Sequence, residues 1–111
     1  MKKTLSGLLL LVLAACTPRT ETVVILSTND MHAHIERFPQ LAEAVAECRD
    51  TVKNVILVDA GDRWTGNVYC DRAAEPRKPI IDLMNKLGYD AATFGNHEFD
   101  AGQAFLGMRV A

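Results

Sequence analysis

Three short apolar runs, each closed by a polar turn, constrain this chain more than any other feature. Thr22 to Leu26 (Thr-Val-Val-Ile-Leu), Val55 to Val58 (Val-Ile-Leu-Val) and Ala91 to Phe94 read as strands. The first two are continuous and β-branched, the pattern of strands buried on both faces. Helical periodicity lies between them. Pro39 to Arg49 carries Leu41, Ala44, Val45 and Cys48 at three- and four-residue spacing behind a proline suited to a first turn. Pro79 to Leu87 repeats this with Ile80, Leu83, Met84 and Leu87, and Gly88 stands where a C-terminal cap belongs. Asp59 to Lys78, with Gly61, Gly66 and Pro76, reads as loop. A third helix is predicted from Asp100, because Asp100 and Gln103 fit a capping box, although Gly102 and Gly107 are poor helix formers. The three predicted strands alternate with three helices, which predicts an α/β fold with parallel strands and right-handed crossovers.

The N-terminal residues stand outside that pattern. Met1-Lys2-Lys3 is basic and Leu8 to Ala15 is apolar, which together read as a signal peptide over residues 1–15. The apolar stretch is far shorter than the ~20 residues of a membrane-spanning helix. It ends in Leu13-Ala14-Ala15-Cys16, a bacterial lipobox pattern in which Cys16 takes the lipid. Several acyl chains on one cysteine give stable anchoring where one would be marginal. Residues 16–21 would then be the lipidated cysteine and a short polar tether. An exported, membrane-anchored lipoprotein on the periplasmic face or cell surface is expected. The chain carries 12 Lys and Arg against 14 Asp and Glu, and loss of residues 1–15 would remove Lys2 and Lys3 as well. That balance argues against a nucleic-acid polymer as partner, since such surfaces need clustered basic charge. Nothing in the sequence points to a protein partner. Export permits a disulfide between Cys48 and Cys70. The place of Cys48 on an apolar helix face favours a buried free thiol instead.

Chemistry-bearing residues gather at the strand exits. Asp30 and His32 follow the first strand, Asp62 the second, and Asn96 with His97 the third. In open α/β sheets ligands bind at the carboxyl ends of the strands, and parallel strands bring these exits to one edge. Asp30 and His32 are two apart, a spacing that points both side chains the same way in extended chain. Each residue alone has a plain explanation in turn chemistry. Their register with successive strand ends does not.

Thr28-Asn29-Asp30-Met31-His32, Gly61-Asp62 and Gly95-Asn96-His97-Glu98 resemble the first three signature blocks of the calcineurin-like metallophosphoesterases. The run from Leu87-Gly88-Tyr89-Asp90-Ala91 to Gly95-Asn96-His97-Glu98-Phe99-Asp100 is similar to the 5′-nucleotidase branch. The resemblance spans residues 22 to 106 and implies that residues 22–111 form the N-terminal part of a layered α/β metallophosphoesterase domain. It implies metal-dependent hydrolysis of phosphate esters, most specifically of nucleotides, by water activated between two divalent ions. By it, Asp30 and His32 would bind one ion, Asp62 would bridge both, and Asn96 would bind the second. His97 would stabilise the transition state at the phosphate, with Asp100 orienting its imidazole. Oxygen and imidazole donors suit Mn, Zn, Fe or Co without choosing among them. Two such ions roughly 3.5–4 Å apart polarise phosphoryl oxygens and acidify water. His34 continues the alternation of Asp30 and His32 but is outside the family block, and reads as an exposed loop histidine. Ala33 stands where many members have glycine. Trp64 reads as a cover for its loop.

A catalytic zinc usually takes three protein ligands. The first ion would have Asp30, His32 and Asp62, and the second only Asp62 and Asn96. The family's further histidines have no counterpart, since no histidine follows His97, and the last residues fall inside a predicted helix. The expectation is therefore an N-terminal piece of a larger phosphoesterase, inactive alone. Within the superfamily, a nucleoside-diphosphate-sugar hydrolase, a cyclic-nucleotide phosphodiesterase and a sulfate-ester enzyme share these blocks. Outside it, the rival is a non-catalytic lipoprotein whose polar turns are remnants. Intact Asp30, His32, Asp62, Asn96 and His97 count against that rival.

Overall fold

The computed structural model describes residues 19–110; residues 1–15, read from the sequence as a signal peptide, and Cys16 lie outside them. Strand β1 (Val23–Thr28) pairs in parallel with β2 (Asn54–Asp59), from Val23 opposite Asn54 to Thr28 opposite Asp59. The short β3 (Ala91–Ala92) pairs with Val58 and Asp59, giving a parallel sheet in the order β1-β2-β3. A 3-10 turn (Ile35–Arg37) leads into α1 (Phe38–Thr51). Helix α2 (Val68–Asp71) and α3 (Lys78–Leu87) precede β3, and a second 3-10 turn (His97–Phe99) precedes α4 (Gln103–Val110). The α/β alternation read from the sequence is the fold observed.

Several expectations need correction. The β-branched runs are not buried on both faces: Val23 and Ile25 are 54% and 66% exposed and Ile56 is 40% exposed. Among the described residues the helical layer covers one face, which carries Val24, Leu26 and Thr28 beside Val55, Leu57 and Asp59. The third strand stops at Ala92 rather than Phe94. The Thr93 amide still donates to Asp59, but the Thr93 carbonyl is taken by the Arg63 side chain, so the ladder ends there. The expected loop after Asp59 contains α2, whose N-terminus is capped by the Asn67 side chain accepting from the Tyr69 amide. Helix α4 begins at Gln103 instead of Asp100, and the capping box does not form. The Asp100 carboxylate is engaged by His97, and the Gly102 amide turns back to Phe99. Cys70, not Cys48, is the fully buried cysteine; both are free thiols.

The helix ends follow the sequence signals. Pro39 and Pro79 sit in the first turns of α1 and α3. Gly88 closes α3 at φ +76°, its amide donating to Met84 and Asn85. The Arg49 guanidinium, from the last turn of α1, donates to the carbonyls of Leu87 and Gly88 at 2.7 and 2.9 Å, so one cation satisfies the α3 terminus and ties the helices together. The main core joins Phe38, Trp64, Cys70, Ile80, Met84 and Leu106 between helices and loops, while α1 packs on β2, where Val45 and Leu57 are buried. No helix of the described residues is long and apolar enough to cross a membrane.

Candidate metal centre

The β1 and β2 exits remain zipped beyond the sheet. Amides of Asp30, His32 and Ala33 donate to the carbonyls of Gly61, Asp62 and Arg63 at 3.1, 3.0 and 2.8 Å. Asp30, His32 and Ala33 all adopt positive φ, at 52°, 44° and 54°, so the segment is not extended. Asp30 and His32 converge because the left-handed turns and the zipper bring them together, not because of strand alternation. Each such non-glycine residue costs of order 1 kcal/mol, a load found where surroundings over-determine a functional turn.

Two glycines let the β2 and β3 exits touch. A Cβ on Gly61 would lie 2.4 Å from the Gly95 amide nitrogen, and one on Gly95 would lie 2.3 Å from Asp62 Oδ1. No larger residue fits either contact. The Asp62 carboxylate therefore rests on the Gly95 backbone and also accepts the His97 amide at 2.8 Å. Beneath it lies Glu98, completely buried. Its Oε2 accepts the Asp62 amide at 2.9 Å and the Gly95 amide at 2.6 Å, and its Oε1 accepts the Arg63 amide at 2.9 Å. One carboxylate thus pins two loops together.

Charges below the site are paired. Arg63 Nε donates to Asp59 Oδ2 at 2.9 Å, both side chains being buried, and its Nη1 lies 4.0 Å from Glu98. Asp59 also accepts the Gly61 amide and the Thr28 hydroxyl. Because the Thr28 proton goes to Asp59, the Tyr89 hydroxyl is the donor in its 2.9 Å bond to Thr28. Burial pushes the Tyr89 pKa up, which keeps that donor protonated. A buried ion pair is tolerated only when its remaining valences are filled in this way.

The two histidines have different supports. His32 Nδ1 lies 3.0 Å from the Thr65 carbonyl. A carbonyl only accepts, so Nδ1 carries the proton and the neutral tautomer has its lone pair at Nε2. His97 Nδ1 lies 2.8 Å from Asp100 Oδ2. That bond, more than any other influence, raises the His97 pKa, while Asp100 is lowered chiefly by its bond to His97. The Trp64 indole donates to the His97 carbonyl at 2.9 Å, which fixes the turn carrying it. The rings of His32 and His97 meet edge to face at 4.9 Å.

His32, Asp62 and His97 bring donor atoms within 4.8 Å of one another, a set able to hold a cation. Asp30 adjoins them, its Oδ1 3.8 Å from His32 Nε2. The Asn29 amide donates to its other oxygen. Asn96 heads the 3-10 turn with its side chain exposed, and Asp100 stands behind His97. The His34 side chain is 63% exposed and pairs with Glu36. Glu98, Arg63, Asp59 and Thr65 are parts of the site that the sequence motifs do not single out, and Trp64 is a buried strut of the site rather than a cover. Asp59 and Arg63, four apart at a strand exit, were a visible signal of an ion pair.

Residues 23–108 match the model of the calcineurin-like phosphoesterase family. The chain belongs to this family. It is 40% identical over 86 residues to the trifunctional nucleotide phosphoesterase protein YfkN of Bacillus subtilis, covering 76% of this chain and 6% of that one. It is 34% identical over 100 residues to a snake venom 5′-nucleotidase of Gloydius brevicauda, covering 76% and 17%. Among solved structures it is similar to the calcineurin-like phosphoesterase YfkN of B. subtilis, with TM-score 0.66 and 31% identity over 79% of this chain and 33% of that one. It is also similar to the NAD nucleotidase NadN of Haemophilus influenzae, with TM-score 0.71 and 26% identity over 79% and 18%. The chain thus spans a small part of these relatives' length. Calcineurin-like phosphoesterases use divalent metals, and the donors drawn together by the strand exits fit one.

Proposed function

We propose that this chain supplies the N-terminal corner of a two-metal phosphoesterase centre of 5′-nucleotidase type, hydrolysing nucleotide phosphate esters. The observation that carries the assignment of roles is the contrast behind the two imidazoles. A carbonyl behind His32 leaves a neutral nitrogen for a metal. A carboxylate behind His97 favours the imidazolium, which cannot ligate a cation but can donate an Nε2 proton to a phosphoryl oxygen. Asp30, His32 and Asp62 would hold one divalent ion, and Asp62 with Asn96 part of a second. When bound, such ions acidify water and polarise the ester. Manganese, zinc, iron and cobalt all suit these donors. His97 would donate at the phosphate, Asp100 would hold its ring, and Glu98 would set the position of Asp62.

Donors for the second ion are too few among the described residues, so complete activity belongs to a longer chain carrying further ligands. Cys16 would anchor that protein to the membrane outside the cytoplasm, placing the site where nucleotides arrive from the surroundings. Metabolic labelling with a fatty acid, abolished by Cys16→Ser, tests the anchor. Calorimetry with Mn²⁺ or Zn²⁺ and an assay with AMP test the rest. The 111-residue chain should bind at most one ion weakly and turn over negligibly. Two tight ions with turnover lost in His97→Ala would refute the incompleteness. The relatives' names include a 2′,3′-cyclic-nucleotide 2′-phosphodiesterase/3′-nucleotidase of H. influenzae. A panel of nucleoside monophosphates, cyclic nucleotides, sugar diphosphonucleosides and sulfate esters on the full gene product separates these activities.

A further inference from the structure

At the end of β3 an ion pair stands in for one hydrogen bond of the sheet. The Thr93 amide donates to the Asp59 carbonyl at 2.9 Å. In a parallel ladder the next bond would run from the Gly61 amide to the Thr93 carbonyl. Here those two groups part. The Gly61 amide donates to Asp59 Oδ2 at 3.2 Å, Arg63 Nε donates to the same oxygen at 2.9 Å, and Arg63 Nη2 donates to the Thr93 carbonyl. The Arg63–Asp59 pair thus spans the opened gap and satisfies both backbone groups. It is enclosed, with the two side chains 3% and 0% exposed, and the guanidinium lies over the Trp64 and Phe94 rings at 5.9 and 5.7 Å. The Arg63 amide donates to Glu98 Oε1 at 2.9 Å, so this one residue is tied to β2, to the end of β3 and to the turn carrying His97. Just beyond the pair the exits meet again, where Gly61 faces Gly95 and Asp62 accepts the His97 amide.

We propose that Arg63 is a positioning residue for the metal centre: its guanidinium, inserted with Asp59 in place of the last β2–β3 hydrogen bond, sets how the His97 turn lies against Asp62 and His32. This deepens the function proposed above and rests on the roles given there to Asp62, His32 and His97. The task calls for arginine. Nε and Nη2 are separate donors on one rigid plane and reach Asp59 and Thr93 at once, whereas lysine carries all its donors on a single atom. A cation that only neutralised buried Asp59 and Glu98 would place no such demand on shape.

The test is NMR of the 111-residue chain at one fixed pH, without added metal. Two signals report the geometry: the cross-relaxation peak between the His32 and His97 rings, which meet at 4.9 Å, and the exchange protection of the Gly95 and His97 amides. Arg63→Lys keeps the charge and loses the fork. Asp59→Asn keeps an acceptor for Gly61 and Arg63 and loses the charge. In Arg63→Lys the ring peak should vanish and the two amides should lose protection, while amides in α1 keep theirs. In Asp59→Asn both signals should persist. Three results would each overturn the proposal: both signals intact in Arg63→Lys, a loss of protection spread evenly over all amides, or an equal loss in Asp59→Asn. If Arg63→Lys does not fold, the wild-type guanidinium decides. Its Nε and one Nη should show separate, slowly exchanging hydrogen-bonded protons, and a single averaged Nη signal would overturn the proposal. The readout needs neither metal nor turnover. A chain that passes it but belongs to a gene product with no phosphoesterase activity would refute the proposed function alone.

Discussion

Replacing Glu98 by glutamine should destabilise the fold by about 3 kcal/mol, although the two side chains have the same shape. Glu98 accepts three backbone amides with its two oxygens and is completely buried. An amide can offer only one acceptor atom. With its oxygen at the Oε2 position, its NH2 group faces the Arg63 amide; flipped, it faces those of Asp62 and Gly95. At least one buried donor then meets another donor, at a cost of about 1–3 kcal/mol, and the surviving bonds lose the charge that makes them about twice as strong as neutral ones. Arg63 also loses a carboxylate 4.0 Å away but keeps Asp59, so the loss stays below that of a fully broken buried pair. Urea unfolding followed by the fluorescence of Trp64, the single tryptophan, measures the change. Glu43→Gln, on an exposed position of α1, should leave the midpoint where it was. A domain of this size shifts in Tm by roughly 4–8 °C per kcal/mol, so the melting temperature should fall by more than about 10 °C. A Glu98→Gln midpoint matching the wild type would refute the view that this carboxylate pins the two loops.

The remaining expectations concern protons, thiols and glycines. In the metal-free chain the His97 imidazole should titrate above the ordinary histidine value, and Asp100→Asn should bring it down, because the bond to Asp100 is the main cause of the shift. The sign follows: stabilisation from this pair is complete below the unfolded histidine pKa and is lost as pH rises through the raised folded value. An NMR titration unaffected by Asp100→Asn would contradict this. Iodoacetamide should modify half-buried Cys48 well before Cys70, whose thiol is buried and whose pKa is pushed up by that burial; peptide mapping showing equal rates would argue otherwise. Gly95→Ala should abolish metal binding by driving a methyl group into the Asp62 carboxylate, whereas Gly107→Ala in α4, with open space around it, should raise stability by up to about 1 kcal/mol. Calorimetry and thermal melts on the two variants separate these outcomes.

Element type was legible in this sequence because each element carries its own local signal. Pro39, Pro79 and Gly88 mark helix ends by fixed or left-handed backbone, and these ends fall within a few residues of where they were read. What was illegible depended on contacts between distant segments. Whether Val23 and Ile25 are covered depends on a second layer, which β-branching alone does not specify. Asp100 had two local uses, and only the placement of His97 decided between capping a helix and holding a ring. The convergence of Asp30 and His32 was anticipated for the wrong reason, since their left-handed conformations arise from the zipper with Gly61 and Asp62. Glu98 is illegible for a similar reason. An acid in a polar turn looks solvated until the amides of another loop are seen to surround it.

The central claim is that the strand exits make one histidine a ligand and the other a proton donor. Cation affinity, measured by calorimetry with Mn²⁺ in His32→Ala, Asp62→Ala and His97→Ala at one fixed pH below the raised His97 titration, tests it most directly. His32→Ala and Asp62→Ala should each lower affinity by at least about tenfold, and His97→Ala should leave it nearly unchanged. An equal loss in His97→Ala and His32→Ala would show that His97 is itself a ligand, and the division of roles drawn from the groups behind the two rings would be wrong.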